Sequence, residues 1–190
     1  MNACSIMIVG VGGQGSLLAG KLLGRLAMNE GFDVKVSEVH GMSQRGGSVV
    51  TYVRYGEKVY SPVIDKGQAD IIVAFELLEA ARAIGFLSPD GQLVTNTQRI
   101  DPIPVITGAA EYPENLVKKM EASGAKVDAV DALALAEEAG SSKAVNIVLM
   151  GRLSNYFPFS KEAWAKALEE TVPEKFLELN RRAFEFGMRN

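Results

Sequence analysis

The sequence predicts an α/β protein, a Rossmann-like, mostly parallel sheet with a hairpin insertion after the second strand and a helical C-terminus. Three observations carry that expectation. An apolar, β-branched run at 5–9 ends in a glycine-rich turn that opens a helical pattern at 16–29. Short apolar runs then alternate with helical periodicity as far as 139, the pattern of strands joined by crossover helices. Beyond 144 only helical patterns remain.

In order along the chain, residues 5–9 read as a central parallel strand buried on both faces. Leu18, Leu22 and Leu26, with Leu17, Leu23 and Ala27, recur at near-helical spacing until Gly31 supplies a stop. Residues 34–39 alternate as a second strand and complete a βαβ unit. A polar loop from His40 to Gly47 leads into a hairpin formed by 48–55, a Gly56-Glu57 turn and 58–60. Residues 70–75 are expected as a strand, 76–84 as a helix, 88–91 as a turn and 92–96 as a strand. Pro102 and Pro104 confine 103–107 to a short edge strand, because proline cannot donate to a ladder. A helix at 114–123, a strand at 126–130 and a helix at 132–139 follow. The run 144–157 is apolar nearly all round and reads as a buried helix. Two amphipathic helices finish the chain, the first capped by Ser160 with Trp164 and Leu168 on one face. Thr171-Val172-Pro173-Glu174 matches a capping box for the second, in which Phe176, Ala183 and Phe184 share a face. With no linker, repeat or low-complexity tract, residues 1–190 are expected to form a single domain.

The net charge of -3, with both signs interspersed, offers no basic stripe for phosphates, so nucleic acid is not an expected partner. No run approaches the roughly 18 apolar residues that span a bilayer, and the first residues lack a basic leader, so a cytoplasmic protein is expected. Hydrophobic residues make up 47% of the chain but aromatic ones only 7%, which suggests an aliphatic subunit interface. The single cysteine, Cys4, precludes an internal disulfide or an iron–sulfur cluster, which takes about four thiolates. Cys4 reads as a small buried hydrophobe at a strand start.

Gly10-Val11-Gly12-Gly13-Gln14-Gly15 fits G-x-G-x-x-G between a strand and a helix, and the acidic Glu38 ends the next strand. Glycines there let the backbone approach a phosphate, whose charge would face the free N–H groups of the helix start. The same glycines would equally serve a tight turn and close helix–strand packing, and both readings stand. The His40 to Gly47 loop gathers the only histidine with Ser43, Gln44 and Arg45 at the carboxyl end of a strand, where open α/β sheets bind ligands. A guanidinium at Arg45 suits bidentate contact with phosphate or a partner's carboxylate. Glu38 could meet a ribose hydroxyl or pair with Arg45 or His40, and His40 could simply tailor the loop. One histidine and no nucleophile elbow leave no Ser-His-Asp set. From its residues alone the chain is a binder of an anionic cofactor or of a partner.

The glycine turn together with Glu38-Val39-His40-Gly41-Met42-Ser43-Gln44-Arg45-Gly46-Gly47-Ser48-Val49 resembles the gamma-type domain of the 2-oxoacid:ferredoxin oxidoreductases, and most closely its indolepyruvate-acting branch. The likeness continues through Tyr60-Ser61-Pro62, 69–76, Val94-Thr95-Asn96-Thr97 and the tail Asn180 to Gly187, covering nearly the whole chain. Pyruvate and 2-oxoglutarate relatives more often have Tyr-Gly-Pro or Phe-Gly-Pro before the Arg-Gly. The resemblance implies oxidative decarboxylation of an arylpyruvate, with coenzyme A as co-substrate and ferredoxin as electron acceptor. It also implies a larger alpha subunit that carries thiamine diphosphate and [4Fe-4S] clusters, this chain alone holding no such cofactor. Self-association into a homodimer is open to the isolated chain. Alternatives are a gamma subunit acting on pyruvate or 2-oxoglutarate, a stand-alone NAD-binding protein, and a non-catalytic sensing or assembly module. If the division is right, the purified chain is colourless, and elemental analysis finds no stoichiometric iron; a brown monomer holding iron would contradict it.

Overall fold

The computed structural model describes residues 3–40, His40 by its backbone, and 47–189. One six-stranded sheet runs through it in the order β2-β3-β1-β4-β5-β6. The strands are β1 (Cys4–Val11), β2 (Asp33–His40), β3 (Ser48–Gly56), β4 (Ala69–Ala74), β5 (Leu87–Asn96) and β6 (Lys126–Val130). β3 is antiparallel to both of its neighbours, and all other adjacent pairs are parallel. Five strands therefore point one way and one points back.

This topology corrects two details of the sequence reading. The hairpin partner of β2 is β3 itself, since so short a connection can only return antiparallel, and residues 58–60 are not a strand. Val59 is instead buried, with its N–H donated to Asp33 Oδ2 at 2.9 Å. Second, β3 lies between β1 and β2, so the expected βαβ pair is split by a strand's width. Helix α1 (Ser16–Asn29) still makes the crossover and buries Ala19, Leu22, Leu23 and Leu26 against the sheet.

Helices α2 (Leu77–Ala83), α3 (Ile103–Ile106) and α4 (Leu116–Ala122) lie before β6, and α5 (Ala132–Ala139), α6 (Val145–Leu153), α7 (Lys161–Thr171) and α8 (Leu177–Arg189) after it. One core joins α1 and α5 to α8 to one sheet face. A smaller core joins α2 and α4 to the other. Residues 88–91 do not turn but extend β5, with a register irregularity between Ala69 and Ile71. Gly91 permits it, for a Cβ there would come within 2.8 Å of the Ala69 carbonyl oxygen. Residues 103–106 are helical and not a strand. Prolines in a first helical turn have no N–H to lose, and Val105 and Ile106 donate to Pro102 O at 2.9 and 3.1 Å.

The C-terminal capping box also fails. Thr171 Oγ1 donates back to Ala167 O at 2.6 Å within α7, and Phe176 lies in a short 3-10 turn, exposed beneath Lys175. Ser160 does cap α7, accepting from Ala163 N at 3.1 Å. α6 is buried nearly all round, as its composition requires, and α8 crosses it at Gly151 and Gly187. Each glycine lies where a Cβ would run into the facing helix, Gly151 into the Phe184 carbonyl and Gly187 into that of Val148. Gly187→Ala should therefore cost about 3 kcal/mol, the upper end of ordinary overpacking. For a chain of this size, thermal unfolding should shift down by roughly 6–12 °C; an unchanged midpoint would mean that the helices are not so close.

Candidate functional site

The parallel strands end where β1 passes into α1. Gly13 (φ 92°) and Gly15 (φ 86°) occupy left-handed backbone that other residues seldom adopt. Between them Gln14 folds back on the turn: its Oε1 accepts from Val11 N at 2.7 Å, and its Nε2 donates to Phe75 O at 3.1 Å. Gly10 must lack a side chain for this, because its Cβ would lie 2.8 Å from Gln14 Oε1 and 3.1 Å from Phe75 Cβ. Gly12 N donates to Gly47 O at 3.1 Å, which fastens the end of the β2–β3 connection to the turn.

The Phe75 carbonyl also accepts from Asn96 Nδ2 at 3.2 Å, and Asn96 Oδ1 accepts from Ala132 N at 3.1 Å. The ends of β1, β4 and β5 and the start of α5 thus meet at one buried amide, that of Asn96, one half-buried amide, that of Gln14, and one carbonyl. Next to them Glu76 is almost wholly buried and fully engaged. It accepts from Glu79 N at 3.0 Å, Ile100 N at 3.1 Å and Tyr112 Oη at 2.5 Å. Burial, then the Glu76 hydrogen bond, pushes the Tyr112 hydroxyl pKa upward, so it remains a donor.

Beside the turn opens a cleft of about 630 Å³, with Gly13, Gln14 and Gly15 on one wall and Gln98, Lys143 and Asn146 on the other. Gly15, the N-cap of α1, has no side chain to cap it, so among the described residues no side-chain oxygen caps the first N–H groups of the helix. Asn146 braces the cleft floor, donating to Gly15 O at 3.4 Å. A Cβ at Gly15 would lie 2.5 Å from its Nδ2.

Of the residues singled out from sequence, Gly10, Gly12, Gly13, Gln14 and Gly15 converge here. Gln14 acts on the backbone, which the G-x-G-x-x-G pattern does not specify. Glu38 accepts from Ser16 Oγ at 3.1 Å and so reaches the first turn of α1. It stands two strands from β1, not one, which departs from the placement of a dinucleotide's ribose acid. Ser43, Gln44 and Arg45, with the His40 side chain, lie outside the described residues. Sequence reasoning missed Asn96, Gln98, Lys143 and Asn146, and treated Glu76 only as a helix start. Their signal was weak, being single amides and charges at element ends. Cys4 is partly buried at the start of β1, its thiol pushed up to about 11 chiefly by burial, which suits a packing residue better than a nucleophile.

This is an α/β architecture with an open glycine turn at the carboxyl end of a mostly parallel sheet. Residues 5–190 match the family described as pyruvate ferredoxin/flavodoxin oxidoreductase, and the chain belongs to that family. It is 46% identical to the indolepyruvate oxidoreductase subunit IorB of Thermococcus kodakarensis, over 100% of this chain and 96% of that protein. To the subunit of that name from Pyrococcus horikoshii it is 43% identical, over the same shares. Among solved structures, the gamma subunit of a keto/oxoacid ferredoxin oxidoreductase from Geobacter sulfurreducens superposes with a TM-score of 0.76 at 26% identity, covering 99% of this chain and 95% of that one. No helix among the described residues is long and apolar enough to cross a membrane.

Gln14→Ala would leave Val11 N without its acceptor and detach β1 from the Phe75 carbonyl. Losing half-buried hydrogen bonds of this kind costs about 1–2 kcal/mol, so the thermal midpoint should fall by roughly 2–8 °C. An unchanged midpoint would show that the glutamine does not hold the turn.

Proposed function

We infer that this chain is the smaller subunit of a cytoplasmic, ferredoxin-dependent enzyme that oxidatively decarboxylates indolepyruvate and related arylpyruvates. The observation that carries this reading is 46% identity along the whole chain to a protein named as an indolepyruvate oxidoreductase subunit. The balanced reaction consumes one arylpyruvate, one coenzyme A and two oxidised ferredoxins. It gives aryl-acetyl-CoA, carbon dioxide, two reduced ferredoxins and a proton. With a single cysteine, this chain lacks the thiolates for a [4Fe-4S] cluster. The clusters are therefore assigned to a larger subunit, and thiamine diphosphate is assigned there on the family resemblance; bound there, they would supply electron transfer and stabilisation of negative charge on the decarboxylating carbon.

This chain's part, as a single domain, is to bind and orient. Its glycine turn presents backbone N–H groups and the positive end of α1 to an anion, and a coenzyme A phosphate is the anion the reaction provides. Lys143 across the cleft adds a cation. Arg45 is assigned to the same anion or to the larger subunit; the bond from Gly12 to Gly47, two residues beyond it, supports this. Glu38 serves the turn by holding Ser16.

Mixing the chain with the larger subunit, indolepyruvate, coenzyme A and oxidised ferredoxin should give ferredoxin reduction only when both subunits are present. Turnover by this chain alone, or full turnover without it, would sink the reading. Charge-assisted hydrogen bonds contribute about 1.5–3 kcal/mol. Arg45→Ala should accordingly weaken coenzyme A use or subunit affinity by roughly ten- to a hundredfold, with the thermal midpoint hardly moved. A steep fall in the midpoint with both affinities intact would make Arg45 a structural residue.

A further inference from the structure

The two edges of the sheet differ. β6 is short and charged, and Asp128 within it is clamped by Arg152, at 2.7 and 2.8 Å, and by Tyr156 Oη at 2.7 Å. β2, at the opposite edge, runs from Asp33 to His40 with no proline, glycine or bulge, in unbroken register with β3. Val36 and Val39, on its opposite faces, are 44% and 53% exposed. Its one lysine, Lys35, is turned back on Asp33 Oδ1 at 2.8 Å, so the charge that would repel another strand is partly neutralised in place. Such an edge is a template for a further strand, and proteins ordinarily blunt it.

Beside this edge, on the α1 face, runs a groove of about 350 Å³ between Gly20, Gly24 and Met28 of α1 and Val34 and Val36 of β2. Val36 lies in its floor, and Lys21, Arg25 and Glu170 stand at its rim.

We propose that the β2 edge pairs with the β2 edge of a second copy of this chain, antiparallel across a twofold axis at Val36, so that the two sheets become one. This rests on the sheet alone and not on the reaction proposed above. The occupant follows from the strand's own sequence. Residues opposite each other in an antiparallel pair lie on the same face. With Val36 opposite Val36, Lys35 meets Ser37, Val34 meets Glu38 and Asp33 meets Val39, and no like charges face each other. Sliding the pair by one step toward the N-terminus sets Lys35 against Lys35. One step toward the C-terminus sets Val36 against Glu38 and moves the valine off the axis. Among the described residues only one strong edge is available per copy, so the pairing closes at two and does not propagate.

Sedimentation velocity on the full chain should show a species of twice the 20.4 kDa chain mass, growing with concentration. Val36→Lys should abolish it while the circular dichroism spectrum is kept. In a Cys4→Ser background, Val36→Cys should form a disulfide-linked dimer on mild oxidation, whereas Val39→Cys, which faces Asp33, should not link. The proposal is overturned by a parent chain that stays monomeric at every concentration, by a Val36→Lys chain that still dimerises, or by Val39→Cys linking as readily as Val36→Cys. Protection of 33–40 from hydrogen exchange that appears only on adding the larger subunit would assign the edge to that subunit and overturn it too.

Discussion

The Phe75 carbonyl, at the end of β4, receives the side-chain amides of Gln14 and Asn96, from the β1–α1 turn and the end of β5. Asn96 then accepts the first N–H of α5. In water each of these groups would be satisfied by solvent, so the net gain per bond is about 1 kcal/mol. Around the buried Asn96, none can be released without leaving another unpaired, and the set is cooperative for that reason. The turn is therefore held by hydrogen bonds to the ends of two neighbouring strands. Its glycines are free to be shaped for whatever approaches the start of α1.

A second constraint is the reversal of β3. A nucleotide-binding sheet of the usual plan pairs its first two strands directly, and an acidic residue at the end of the second reaches the ribose. Here an antiparallel strand separates them, and the acid at that position, Glu38, is hydrogen-bonded to Ser16 at the helix start. The same reversal brings Gly47 onto Gly12, so the β2–β3 connection ends beside the glycine turn. One change of strand order removes a dinucleotide geometry and fastens Gly47, just before β3, to the glycine turn.

Much of the fold was legible because it is written in long patterns. The glycine turn, α1, the buried α6 and the parallel strands each rest on several residues repeating one period. What was misread rests on local chemistry that tertiary contacts override. Ser88-Pro89-Asp90-Gly91 is a good turn sequence, yet Gly91 lets that stretch pack on Ala69 as strand. Thr171 has the spacing of a capping box, but its hydroxyl is already committed to Ala167. Pro102 and Pro104 argued against a ladder, and they are equally at home in a first helical turn. In the site, the glycines were visible because backbone freedom leaves a residue-type signature. Asn96, Gln98 and Asn146 were not, because one amide at the end of an element looks like any other until the fold brings it to the turn.

The central claim is that the glycine turn is the part of this chain that faces the reaction's anion. Hydrogen exchange on the reconstituted complex, with and without coenzyme A, tests it most directly. The account predicts slowed exchange in peptides spanning 10–18 and 142–147, because the free N–H groups at the start of α1 would gain an acceptor. Saturating coenzyme A that slows exchange elsewhere in the complex, and leaves both peptides unchanged, would contradict it.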